Sequence, residues 1–142
     1  MGRLKTLTKG RLTEVRDGHL LLGSFASDMD IDDGSSVLVI GTKSRFLRVI
    51  GVDRDLVVLI RVSFSLEGFT ESAKEVFSEI KSRSIAMVHS TGFCPFEDSC
   101  VWEGYFSPEP KDNIEELARW IEKRPSVLGV EIERLTGDFG EA

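Results

Sequence analysis

Histidine, cysteine and tyrosine are scarce in this sequence, with two, two and one among 142 residues. Two histidines, His19 and His89, leave few candidates for imidazole acid–base chemistry. Two cysteines, Cys94 and Cys100, are too few for a disulfide framework. No HExxH pair, phosphate-binding loop or dinucleotide glycine motif occurs, and no nucleophile–base pair is recognisable. Paired acids such as Asp32-Asp33 and Glu115-Glu116 fall at turns and helix starts, where structure accounts for them. These absences point away from an enzyme, and no cofactor is expected. Long hydrophobic runs are missing as well. The longest, Val57–Ile60 continued to Phe64, is broken by Arg61 and Ser63. It has strand length, against about 20 residues for a bilayer span. The opening MGRLKTLTKGR has no apolar stretch of the secretory kind, so a cytoplasmic location and reduced thiols are expected.

Apolar residues make up 41% of the chain, enough to bury a core, and the net charge is −6. That charge is unevenly spread. Residues 1–55 carry nine Lys/Arg against eight Asp/Glu, and residues 56–142 carry nine against sixteen. The early basic residues crowd at Arg3, Lys5, Lys9, Arg11 and Arg16, and again at Lys43, Arg45 and Arg48. Such clusters suit contact with phosphates as well as an ordinary solvated surface, so DNA is a possible partner through Arg16, Lys43 and Arg45.

The first half reads as mostly β. Asp17-Gly18 is a hairpin dipeptide between strand-like residues. Phe25, Met29 and Ile31 recur at helical spacing, Asp33-Gly34 marks a turn, and Val37–Ile40 and Phe46–Val52 read as strands. From Leu56 the pattern changes. Val58, Ile60, Val62 and Phe64 share one strand face. Phe69, Ala73, Val76, Phe77 and Ile80 repeat at helical spacing, with Ser72-x-x-Glu75 as a candidate capping box. Ile85–His89 and Cys100–Phe106 follow as strands. Asp112-x-x-Glu115 opens a second helix, striped by Ile114, Leu117, Ala118 and Ile121 and ended by Pro125. Val127–Leu135 is a last strand, with Leu128, Val130 and Ile132 inward, and the tail after it is expected to be loose.

The expected class is α+β: a small mostly-β domain over residues 1–54, then a ferredoxin-like βαββαβ domain over residues 55–142. Right-handed crossovers place both helices on one sheet face. The other face would carry Arg61, Ser63, Glu131 and Glu133 beside apolar Val57 and Leu59. A half-apolar face of that kind suits a second sheet, so a homodimer or higher homo-oligomer is expected.

The segment Leu56–Leu135 resembles an ACT domain, on its strand–helix order, on Phe64-Ser65-Leu66-Glu67-Gly68-Phe69 at the first strand–helix junction, and on the ending PSVLGVEIERL. The resemblance implies a regulatory module binding a small effector, such as an amino acid or related carboxylate, at Ser65, Leu66, Glu67, Gly68 and Phe69. Gly68→Val is then expected to block binding with the fold intact. More faintly, residues 14–50 resemble the AbrB-type swapped-hairpin DNA-binding domain, on Phe25, Met29, Ile31 and Gly34 within RDGHLLLGSFASDMDIDDGSSVLVI. That likeness implies a transcriptional output. The segment HSTGFCPFEDSC offers a different reading. His89, Cys94 and Cys100, with Glu97 or Asp98, could meet around a metal or serve redox sensing. Two thiols packing a loop is the plainer account, and a purely structural oligomerisation module is a further alternative.

Overall fold

The computed structural model describes residues 12–20, 25–96 and 98–136. The basic residues Arg3, Lys5, Lys9 and Arg11, the side chain of Phe25, Glu97 and the tail from residue 137 lie outside that description. The chain divides into two compact units, Met1–Ser35 and Ser36–Ala142.

In the first unit, β1 (Val15–Arg16) pairs antiparallel with β2 (His19–Leu20). The turn between them is Asp17-Gly18, both with positive φ, as the dipeptide leads one to expect. One helical turn, α1 (Phe25–Asp28), follows. It closes at Asp30, whose φ is 57°, with the Ile31 amide donating to the Ala26 carbonyl at 2.8 Å. Gly34 (φ 84°) then takes the second turn.

The second unit opens with a hairpin of β3 (Ser36–Gly41) and β4 (Leu47–Val52). The sequence assigns this hairpin to the N-terminal domain, whereas the compact unit begins at Ser36. Residues 14–50, the span of the swapped-hairpin likeness, are therefore divided between the two units. Then come β5 (Leu56–Ser65), α2 (Phe69–Arg83), β6 (Met87–Phe96), β7 (Ser99–Phe106), α3 (Ile114–Glu122) and β8 (Val127–Thr136). The sheet order is β6-β7-β5-β8 with every pairing antiparallel. This is the arrangement in which each helix crosses between strands that are not neighbours.

The core forms where the strand and helix periodicities meet. Val58, Ile60, Val62 and Phe64 of β5 face Ala73, Val76 and Ile80 of α2 and Ile114, Leu117 and Ile121 of α3. Trp102 and Phe106 of β7 complete it. Each large side chain fully buried here contributes about 1.5–3 kcal/mol. Gly104 sits between Trp102 and Phe106, and a Cβ there would run into the Trp102 indole, so the glycine leaves room for that ring.

Local differences from the sequence reading have physical causes. The pairing of β5 with β8 shifts at Ser63/Phe64, where Val127 takes the place beside Phe64. One extra residue flips the alternation. Val127 therefore packs on the core, and Leu128 is 64% exposed. Ile132 keeps the inward face, paired with Ile60, but on the edge strand it remains 37% exposed. Ser72 does not cap α2. It lies inside the helix, buried, and its hydroxyl donates to the Pro125 carbonyl. The cap of α3 is Asn113, whose Oδ1 accepts from the Glu116 amide at 3.0 Å. Asp112 instead accepts from the Glu109 amide at 2.8 Å.

The second sheet face is covered from within the chain. Leu38 and Ile40 of β3 and Ile50 and Val52 of β4 pack with Val57, Val88, Tyr105 and Leu135. Val57 is buried in that cluster, and Leu59 on the same face is buried as well. The half-apolar face does meet a second sheet, but that sheet is the chain's own hairpin. The apolar surface that motivated self-association is thus accounted for inside the unit. No helix among the described residues is long and apolar enough to cross a membrane.

Candidate functional site

The loop between β5 and α2 is held by the turn before β8. The Ser65 amide donates to the Ser126 carbonyl at 2.8 Å, and the Ser65 hydroxyl donates to the Glu67 carbonyl at 2.7 Å. Gly68 has φ 80° and ψ 3°, and no side chain caps the 15-residue helix that follows it. The first amides of a helix have no intrahelical acceptor, and they sit at the positive end of the dipole. Glu67 and Glu71 bring two carboxylates close to this end.

The five residues carried over from the resemblance do not play one role. Phe69 is a core anchor, edge-on to Phe64 with ring centroids 5.2 Å apart. Ser65 serves the turn. Leu66 and Glu67 are exposed, and Gly68 is required twice over. Its φ lies where L side chains are strained, and a Cβ would run into the Ser126 hydroxyl. Gly68→Val therefore disturbs the fold, which corrects the expectation that it acts on binding alone.

Beside the hairpin, the uncovered part of the other sheet face carries an ion-pair hub. Arg61 lies directly across from Glu103 on β7 and Glu131 on β8, and its guanidinium reaches both, at 2.7 and 3.0 Å. The hydrogen bond that Arg61 donates to Glu103 raises the arginine pKa, desolvation opposes this, and the one donated to Glu131 adds to the rise. Next to it, His89 Nδ1 lies 3.2 Å from Arg48 of β4, and its ring is tilted against Tyr105. Desolvation, then the Arg48 charge, lowers the His89 pKa below its ordinary value, with Glu103 opposing. Burial, then Glu103, raises that of Tyr105.

The His89 shift has a testable sign. A depressed folded-state pKa means that the folded chain prefers the neutral ring. Its contribution is complete above about pH 6.5 and is lost as pH falls through the folded-state value. Unfolding midpoints measured from pH 7.5 downward should show a decline that is shallower in His89→Gln. An unchanged pH slope in that variant would count against the assignment.

The cysteines are not two free thiols. Cys94 and Cys100 are joined as a disulfide across the β6–β7 hairpin, with Cα atoms 4.4 Å apart. A tetrahedral zinc site would need both sulfurs as thiolates. Among the described residues no group of three or more His, Cys, Asp or Glu is assembled for a metal, and His89 faces Arg48 and Tyr105 instead. Of the basic candidates, Arg16 pairs with Glu14 at 2.5 Å in the first unit. Lys43 and Arg45 lie in the exposed β3–β4 turn, where the Thr42 and Ser44 hydroxyls bond each other and Arg45 has φ 64°.

No protein-family model and no curated protein matches the sequence. Among solved structures, the C-terminal domain of the MgtC protein from Mycobacterium tuberculosis aligns with a TM-score of 0.50 at 14% identity, over 64% of this chain and 97% of that one. A formyltetrahydrofolate deformylase from Pseudomonas putida KT2440 aligns at 0.41 and 11% identity, over 58% of this chain. This chain spans 29% of that enzyme's length, and so low a score adds nothing to the argument. At such identities the first likeness speaks for fold alone. Together with the strand order, it supports a ferredoxin-like βαββαβ fold for the Leu56–Thr136 body.

Proposed function

We propose that the second unit is a regulatory binding module, not an enzyme, which senses a small effector at the Ser65–Phe69 loop. The effector is an amino acid or a close relative, and the output is the activity of a partner. The observation that carries this is the start of α2. Gly68 leaves a long helix without a side-chain cap, so its first amides are available to an anion. A carboxylate meets those amides and the dipole together. An ammonium group on the same ligand finds Glu67 next to them, so a zwitterion has both ends matched. The ferredoxin-like fold supports the reading, since the ACT-domain resemblance of the sequence implies an effector near this junction.

The test is thermal unfolding of the whole chain against individual L-amino acids and carboxylate analogues at millimolar concentration. A ligand at about 100 times its dissociation constant adds about 2.7 kcal/mol. For a unit of this size that raises the melting temperature by several degrees or more. Glu67→Gln should reduce the rise for ligands with an amino group and spare simple carboxylates. A panel in which nothing moves the melting point would leave a structural module as the better account.

A further inference from the structure

We propose that the second unit holds another small-molecule site, a cleft at the far end of β5 from the Ser65–Gly68 loop, which takes a zwitterion with a short aliphatic side chain. The cleft encloses about 250 Å³, room for a molecule of amino-acid size. Four separate stretches line it: residues 51–54 at the end of β4 and just beyond, Ser84 at the end of α2, Ala86 and Val88 around the start of β6, and residues 107–112 after β7.

Its walls are tied to one another, so the shape exists before a ligand arrives. Arg54 Nη1 donates to the Pro108 carbonyl at 2.9 Å, and its other terminal nitrogen lies 3.4 Å from Glu109. The Ser107 amide donates to the Ala86 carbonyl at 2.9 Å, and the Glu109 amide donates to Asp112 at 2.8 Å. A preformed cleft spares the ordering cost of binding.

The lining has one apolar side and two poles. Val52 and Val88 belong to the apolar cluster beneath the hairpin and offer a surface to an aliphatic side chain. Asp53 makes no hydrogen bond or ion pair among the described residues, so its carboxylate is open to an ammonium group. Helix α2 ends at the cleft, where Ser84 serves as its C-cap, and the negative end of the dipole favours the same cation. Lys111 is held only loosely, 3.7 Å from Glu109, with 76% of its side chain exposed. It can turn to a carboxylate.

The experiment is an amide-shift titration of the full chain with L-leucine. Isoamylamine and 4-methylpentanoate, which lack the carboxylate and the amine respectively, are titrated in parallel. Saturable shifts should gather at residues 51–54, 84–88 and 107–112, with each half-analogue binding more weakly. Asp53→Asn and Lys111→Ala, both exposed substitutions, should each weaken L-leucine about tenfold, the loss of roughly one charge-assisted hydrogen bond. Unchanged affinity in both variants, or no saturable shift in those segments, would overturn the cleft. Shifts confined to residues 65–71 would also overturn it while leaving the loop reading in place.

Discussion

Phe106→Ala should cost the second unit about 3–5 kcal/mol, the range for removing a fully buried aromatic ring. Phe106 closes β7 with no exposure, stands edge-on to Trp102, and belongs to the cluster shared by both helices. Ile114, Leu117 and Ile121 of the same cluster are themselves fully or nearly fully buried, so the ring leaves a cavity in a closed core. Against a typical total of about 5–15 kcal/mol, such a loss removes a large fraction of the stability. Urea unfolding read by tryptophan fluorescence should show a much lower midpoint at unchanged slope. Phe46→Ala, at a position 64% exposed, should change little. Equal midpoints for Phe106→Ala and the parent would mean that β7 does not pack as described.

The second large effect belongs to Gly68. Gly68→Ala places an L side chain at φ 80°, which costs on the order of 1–3 kcal/mol, and adds a collision with the Ser126 hydroxyl. The two contributions separate in a double-mutant cycle. Ser126→Gly removes the hydroxyl, so in that background Gly68→Ala should lose less, retaining only the backbone strain. If the loss is the same in both backgrounds, the close approach of the loop to the α3–β8 turn is not real. The cycle also tells how binding data at this loop must be read. A glycine variant that fails to bind is informative only when its fold is measured alongside.

Much of the βαββαβ body was legible because local periodicity is enough to define it. Alternation from Val58 to Phe64 marks the buried face of β5, and the stripe Ile114, Leu117, Ala118 and Ile121 is the buried face of α3. What was not legible depends on which surfaces meet. The sequence shows that Val57 and Leu59 give the sheet a second apolar face. It carries no local sign that Leu38 and Ile40 pack on that face, because the contact joins segments distant in sequence. Leu128 was misplaced for a related reason, since a bulge is visible only in the register between two strands. The capping signals misled by small offsets. Ser72 has the spacing of a cap, but it satisfies the Pro125 carbonyl, and Asn113 caps where Asp112 was expected.

The candidate sites divide in the same way. The Ser65–Phe69 loop could be found because it is contiguous and ends in a glycine whose positive φ has a local meaning. The cleft could not, because Asp53, Ser84, Ser107 and Lys111 are brought together only by the fold. The hub at Arg61 was half visible. Strand alternation put Arg61 and Glu131 on one face, and cross-strand register then set Glu103 directly opposite.

The central claim is that this chain binds a small amino-acid-like effector, and equilibrium dialysis tests it most directly. The full chain is dialysed against an equimolar mixture of the twenty L-amino acids, and both compartments are assayed by mass spectrometry. The account predicts that one or a few amino acids are retained on the protein side in near-stoichiometric excess, and that this excess saturates as their concentration is raised. An equal distribution of all twenty across the membrane, at protein and ligand concentrations in the millimolar range, would contradict it.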